Sequence, residues 1–265
     1  MCLIAFAIGG HRRWRFALAA NRDEFHARPT AAAAALDAAG SRYGGRDLAA
    51  GGGWLQVDAR GRVAAVTNVR LGRAEAAARS RGELVAAFIA GDARPAAFAA
   101  AWRAEPAKFG AFNLLLWDAR EAVVRHVSNH PAPRERAVAG GVHAVSNADL
   151  DTPWPKTLAL RTRLAAWLAS PDAKPDPRQG EPNAAALFEA LADRREAVDA
   201  DLPATGVPLA WERRLSAAFI AGEDYGTRAS TVVLAADDGM WFEERRFGPG
   251  GAPSGRSAVW LPRRR

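Results

Sequence analysis

Cys2 is the only cysteine in the chain and stands directly after Met1. Methionine is normally trimmed before a residue this small, which would leave the Cys2 thiol beside its own α-amine. An α-amine of ordinary pKa, about 7.7–8.0, can take up the thiol proton at neutral pH. Nucleophile and base would then come in one residue. The competing reading is a small buried hydrophobe, the commoner fate of a free cysteine. A second polar group follows at Asn21-Arg22-Asp23-Glu24. If this segment is a strand paired with the one starting at Cys2, alternation puts Asn21 and Asp23 on one face and Arg22 and Glu24 on the other. Asp23 suits the orientation of an ammonium. Arg22 suits a thiolate or, bidentately, a substrate carboxylate. Without a bulge both cannot face Cys2. Taken alone, four such residues are also an ordinary charged strand end. Further on, Tyr225-Gly226-Thr227-Arg228 precedes an apolar run, and Arg228 is either an anion ligand or half of a surface ion pair.

The elements that must position these residues read as strand pairs alternating with helix pairs. Leu3–Ile8 and Trp14–Ala20 form strands around a Gly9-Gly10 turn. Trp54–Asp58 pairs with Arg62–Thr67, Phe112–Trp117 with Ala122–Val127, and Thr231–Ala235 with Trp241–Phe247, each pair through a tight turn. Val142–Ser146 is a further strand, and Val259–Leu261 an edge strand. Helical spacing marks 80–90, Pro95–Trp102, Pro155–Leu168 and Asn183–Arg194, with Asn183 as N-cap. Ala31–Leu36 is helix-prone but too short and featureless to place, Gly44–Asp47 and Gly51–Gly53 bracket a loop, and Ser170–Pro182 is an exposed loop. Asp151–Lys156 reads as a helix entry with Pro in its first turn, where Trp154 and Lys156 either line a cleft or serve the structure. Tight turns make antiparallel sheets. The expectation is α+β: a four-layer arrangement of two antiparallel sheets covered by helices, in a single domain over residues 1–265.

About half of the 265 residues are apolar, enough for a sizeable core. One cysteine excludes an internal disulfide framework, and no Cys/His spacing suits a zinc site; no metal is expected. The net charge of +7 is nearly all arginine, with Lys108, Lys156 and Lys174 the only lysines. The arginines are scattered among acids, clustering only at Arg263–Arg265, and the Ala/Arg/Gly bias resembles GC-rich codon usage. Nucleic acid is therefore not an expected partner. No run reaches the roughly 18 apolar residues of a membrane helix. Leu3–Ile8 is too short for a signal peptide and lacks its basic flank, so a cytoplasmic location is expected.

Several stretches together resemble the NRDE family, which includes the transport and Golgi organisation protein 2 group. They are Met1-Cys2, Asn21–Phe25 with Arg28-Pro29-Thr30, Ala65–Arg70, Ser80–Leu84, Phe112–Leu115, Ser146-Asn147-Ala148 with Leu150–Lys156, and Tyr225–Arg228. The resemblance covers residues 1 to about 247 and implies an N-terminal-nucleophile (Ntn) hydrolase-like αββα fold. A more distant resemblance is to the cysteine Ntn amidases of the penicillin V acylase and bile-salt hydrolase group. It implies Cys2 as nucleophile, Arg22 and Asp23 as its supports, and Asn68 and Asn147 as oxyanion donors. In those amidases the Arg and Asp are not adjacent, as they are here. Asn68 and Asn147 also read as strand-ending residues that bond their own turns.

Two functions follow. The resemblance to the Golgi group implies binding or trafficking of haem, or of a similar amphipathic small anion, as cargo and not as a required cofactor. Asn21, Glu24, His26 and Arg228 would bind it, and the candidate axial ligands are Cys2, His26, His126, His130 and His143. No CxxCH motif provides covalent attachment. The alternative is a cysteine Ntn amidohydrolase or acyltransferase in which Cys2 attacks a small-molecule amide. In either case the partner is a small molecule.

Overall fold

The computed structural model describes residues 2–72, 77–102, 105–121, 123–173 and 180–264. The Met1 and Arg265 termini, Ala122 and the 174–179 part of the expected loop lie outside these. Thirteen strands and five α-helices are found among the described residues. One sheet has six strands in the order β10-β1-β2-β11-β12-β13. They are β1 (Cys2–Ile8), β2 (Phe16–Phe25), β10 (Gly141–Val145), β11 (Tyr225–Ala235), β12 (Gly239–Phe247) and β13 (Pro253–Pro262). The second sheet runs sequentially through β3 (Thr30–Ala35), β4 (Arg42–Asp47), β5 (Leu55–Asp58), β6 (Arg62–Asn68), β7 (Phe112–Asp118), β8 (Val124–Ser128) and β9 (Arg134–Val138). All neighbouring strands are antiparallel.

Strand alternation sorts the core into layers. Ile4, Phe6 and Ile8 of β1 and Phe16, Leu18 and Ala20 of β2 meet Leu55, Val57, Val63, Leu115 and Trp117 between the sheets. The odd-numbered Leu3, Ala5, Ala17 and Ala19 face α3 (Pro155–Ala169) and α4 (Ala185–Leu191). On the far side, Ala64, Val66, Leu114 and Leu116 pack under α1 (Gly82–Ala90) and α2 (Pro95–Trp102). The order is helix, sheet, sheet, helix, the expected αββα architecture.

Local chemistry sets the element ends. Gly9 and Gly10 take φ of 66° and 76° in the β1–β2 turn, a region closed to most side chains. At α1, Glu83 Oε1 accepts the Ser80 N–H at 2.8 Å, half of a capping box. α3 starts on Pro155 and buries Lys156, Thr157, Leu160, Leu164 and Trp167, one stripe of a 3.6-residue period.

Ala31–Leu36, too short and featureless for the sequence to place, falls largely in β3 (Thr30–Ala35), an edge strand on β4, its alanines having been captured by sheet pairing. The loop bracketed by Gly44–Asp47 and Gly51–Gly53 is found between them, and Gly44–Asp47 itself belongs to β4. A Cβ at Gly44 (φ 152°) would stand 2.7 Å from Leu55 O, so glycine permits the close backbone approach. β9 and α5 (Leu209–Ser216) are elements the sequence pattern did not suggest.

Candidate functional site

β1 begins at Cys2, which pairs in register with Arg22 of β2. Both side chains face the space between the sheets, and each residue is 6% exposed. They line a pocket of about 130 Å³ together with Glu24, Arg28, Thr30 and Asn68. Asp23, Arg46, Asp47, Ser80 and Arg81 also border it, with Trp54 and Val66 as apolar neighbours. The expected alternation holds: Arg22 and Glu24 share the face of Cys2, while Asn21 and Asp23 turn toward the helices.

Arg22 is a buried guanidinium with few partners. Nη1 reaches Thr30 Oγ1 at 3.5 Å, and Nη2 lies 3.9 Å from Glu24 Oε2. Its remaining N–H groups border the Cys2 pocket and an adjoining chamber of about 230 Å³, which is also lined by Thr30, Trp54, Arg228, Glu244 and Arg246. Arg28 is steadied by Asp47 at 2.7 Å. Burial pushes the Cys2 thiol above its ordinary pKa, with Asp23 adding to the rise and Arg22 opposing it. The protein surroundings alone therefore keep Cys2 as a thiol, and a base must be supplied to activate it.

Asp23 is 1% exposed and accepts a 2.7 Å hydrogen bond from Thr227 Oγ1. Burial raises its pKa, opposed by the Lys156 and Arg22 charges and by the Thr227 bond. Asn21 is fully occupied. Its Nδ2 donates to Leu191 O and Ala218 O at 2.8 and 2.7 Å, and Ser230 Oγ donates to its Oδ1 at 2.6 Å. Expected as a ligand residue, Asn21 instead ties β2 to the end of α4.

Asn68 ends β6 and lines the pocket, and its side-chain amide has no hydrogen-bond partner among the described residues. Asn147 lies behind it, 1% exposed, with Nδ2 donating to Asn68 O at 2.9 Å. Of the two expected oxyanion donors, Asn68 borders the Cys2 pocket while Asn147 holds the Asn68 backbone. Arg228 Nη1 clasps the carbonyls of Phe25, His26 and Arg28 at 2.9–3.3 Å; it fixes the β2–β3 turn and borders the adjoining chamber.

The histidines do not converge. His26 Nε2 bonds Gly222 O at 3.1 Å, and burial and Arg228 lower its pKa. His126 is fully buried, between Asn113 Oδ1 (3.0 Å) and Arg136 Nε (3.2 Å). His143 Nδ1 bonds Asp151 at 2.7 Å, and His130 lies on the β8–β9 turn. Among the described residues no group of three His, Cys, Asp or Glu side chains could hold a metal ion, and no helix is long and apolar enough to cross a membrane.

The sequence pattern does not disclose Arg28, Thr30, Arg46, Asp47, Ser80 and Arg81 as pocket residues. The signal available for several of them is their place in the family-like stretches Arg28-Pro29-Thr30 and Ser80-Arg81-Gly82. Lys156, which the sequence offers as a cleft-lining or a structural residue, is a charged group buried beneath the site. Its Nζ donates to Leu215 O at 2.8 Å. Burial lowers its pKa to about 8, with Asp23 and Cys2 among the groups opposing the fall.

The family model described as Transport and Golgi organisation 2 matches residues 1–249. The Transport and Golgi organization protein 2 homolog of Bos taurus is 33% identical over 276 residues, covering 92% of each chain. The Homo sapiens homolog is 29% identical over 265 residues with the same coverage. Among solved structures, the C2A mutant of conjugated bile acid hydrolase from Clostridium perfringens superposes with a TM-score of 0.54. It covers 98% of this chain and 92% of that one at 6% identity, a likeness of fold, that of the Ntn hydrolases.

Proposed function

We propose that this chain, which belongs to the Transport and Golgi organisation 2 family, acts through Cys2 on a small-molecule amide. The observation that carries this reading is that Cys2, Arg22 and Asn68, from three strands in two sheets, line one pocket. Removal of Met1 frees the Cys2 amine, which takes the thiol proton. Sγ then adds to the amide carbonyl carbon, and the oxyanion accepts a hydrogen bond from Asn68 Nδ2. As the C–N bond breaks, the α-ammonium returns its proton to the departing amine, leaving a thioester. Water, deprotonated by the same amine, hydrolyses the thioester and restores the thiol. Arg22 steadies the sulfur or an anionic group on the substrate. Asp23, from the opposite face of β2, supplies the negative field for the ammonium.

The test joins intact mass to activity. Loss of Met1, fast iodoacetamide labelling of Cys2 at neutral pH, and a roughly thousandfold or larger loss of amide hydrolysis in both Cys2→Ser and Cys2→Ala are expected. A retained Met1, or hydrolysis that survives Cys2→Ala, rejects the reading.

A non-catalytic role in carrying haem or a similar amphipathic anion is the second reading. It is favoured by the exposed Phe25 (52%) and Leu48 (53%), chain neighbours of the pocket-lining Glu24 and Asp47. Acidic groups of the cargo would enter among Arg22, Arg28, Arg46 and Arg81, with the apolar body outside on Phe25 and Leu48. Cys2 is the candidate axial ligand that faces the pocket. A Soret shift saturating at micromolar haem and lost in Cys2→Ala supports this role; no shift rejects it.

A further inference from the structure

We infer that the groove between α3 and α4 binds a small apolar monocarboxylate, with Lys156 holding the carboxylate. This site lies on the helix side of the six-stranded sheet, across β1 and β2 from the Cys2 pocket. The groove encloses about 740 Å³, within the roughly 300–1,000 Å³ of small-ligand sites. Leu160 and Trp167 of α3, each 2% exposed, and Ala218 give it an apolar floor, and Ala186 and Ala190 of α4 form a wall.

Lys156 enters this floor at 5% exposure, with Leu215 O its one hydrogen-bond acceptor among the described residues. An ammonium has three N–H donors. It also sits in the first turn of α3, the end of a helix that disfavours a cation. Asp23 offsets part of the charge from within the sheet, so the unmet demand is chiefly for acceptor oxygens. A carboxylate at the inner end of a half-apolar groove supplies them.

The rim limits the rest of the ligand. Asp193 is neutralised by Arg195 through Nε and Nη2. Glu189 and Glu196 stand exposed at the opening, with Arg163 opposite. A second anionic group would meet those carboxylates, so the body beyond the head must be neutral. That distinguishes this site from the arginine-walled pocket at Cys2.

The experiment titrates the full chain with 2-naphthoate, followed by its fluorescence anisotropy, beside the near-isosteric neutral 2-naphthamide. One saturable site is expected for the acid, with the amide weaker by about tenfold or more, the loss of one charge-assisted contact. Lys156→Met should weaken the acid by a similar factor and leave the amide unchanged. Ala186→Trp, at an exposed position on the wall, should abolish binding of both while the thermal midpoint is kept. Absence of saturable binding, equal affinity for acid and amide, or binding unaffected by Ala186→Trp overturns the inference. If Lys156→Met does not fold, the acid–amide comparison and Ala186→Trp decide it.

Discussion

Lys156 and Cys2 are buried on opposite faces of one sheet, and burial opposes the charged form of each. For Lys156 the effect moves the ammonium from an ordinary 10.5 to about 8, which makes stability depend on pH. Below about pH 8 folded and unfolded chains both hold the proton, and the full cost of burying the charge stands. Between about 8 and 10.5 the unfolded chain is protonated where the folded chain is not, so stability rises with pH, and above that window it levels off. The rise amounts to about 3 kcal/mol at most, because a tenfold change in proton affinity is worth about 1.4 kcal/mol. Urea unfolding of wild type and Lys156→Met from pH 7 to 10.5 should therefore show wild type gaining on the variant across this window. A pH-independent difference would show that the amine is not held in a desolvating site. An ammonium kept at such a cost, with one acceptor among the described residues, is expected where a ligand needs it.

At the scale of elements, what the sequence disclosed and what it hid have separate physical reasons. β2 was legible because its Phe16–Ala20 run is apolar on both faces and the polar cluster simply continues the strand. Period-two alternation then put Arg22 with Glu24 on one face and Asn21 with Asp23 on the other, and the Cys2–Arg22 register decides that the first pair faces Cys2. Hairpins such as β5–β6 and β11–β12 were legible from glycine and aspartate turns. β3 was not, because Ala31–Ala35 carries no alternation and its state is set by pairing with β4, a contact outside its own sequence. The strand role of Gly44 was hidden for a related reason. Glycine signals a turn in isolation, but Gly44 serves here for close strand approach, which depends on Leu55 and Gln56 across the sheet. The site followed the same division. Cys2 and Arg22 are register partners and could be inferred together. Arg46, Asp47, Ser80 and Arg81 reach the pocket from β4 and the approach to α1, so no local pattern announces them. The burial of Lys156 was hidden because a lysine in the first turn of an amphipathic helix ordinarily points to water.

For the molecule as a whole, the site lies where the two sheets are joined at one end, and Asn147 is central to that joint. Ser146 Oγ donates to Cys2 O at 2.9 Å, and Thr67 Oγ1 donates to Ser146 O at 2.6 Å. Asn147 Nδ2 donates to Asn68 O, and the Arg70 N–H donates to Asn147 O at 2.7 Å. The segment after β10 thus connects the head of β1 in one sheet to the end of β6 in the other, and those two strands carry Cys2 and Asn68. Nearby, Arg70 pairs with Glu212 of α5 in a buried 2.5 Å contact, anchoring the chain beyond β6. Removing the Asn147 amide takes the donor from the part-buried Asn68 O and an acceptor from the buried Ser146 Oγ, which costs about 1–3 kcal/mol. Because the joint lies at the site, the loss should appear as local opening before global unfolding. Asn147→Ala should lower the urea midpoint, and in the absence of denaturant iodoacetamide should label Cys2 about 5- to 150-fold faster, the factor equivalent to that energy. A lower midpoint with unchanged labelling would make Asn147 a general packing residue. Faster labelling would establish that the joint between the sheets controls access to Cys2, and so that the fold regulates the reactivity of its own first strand.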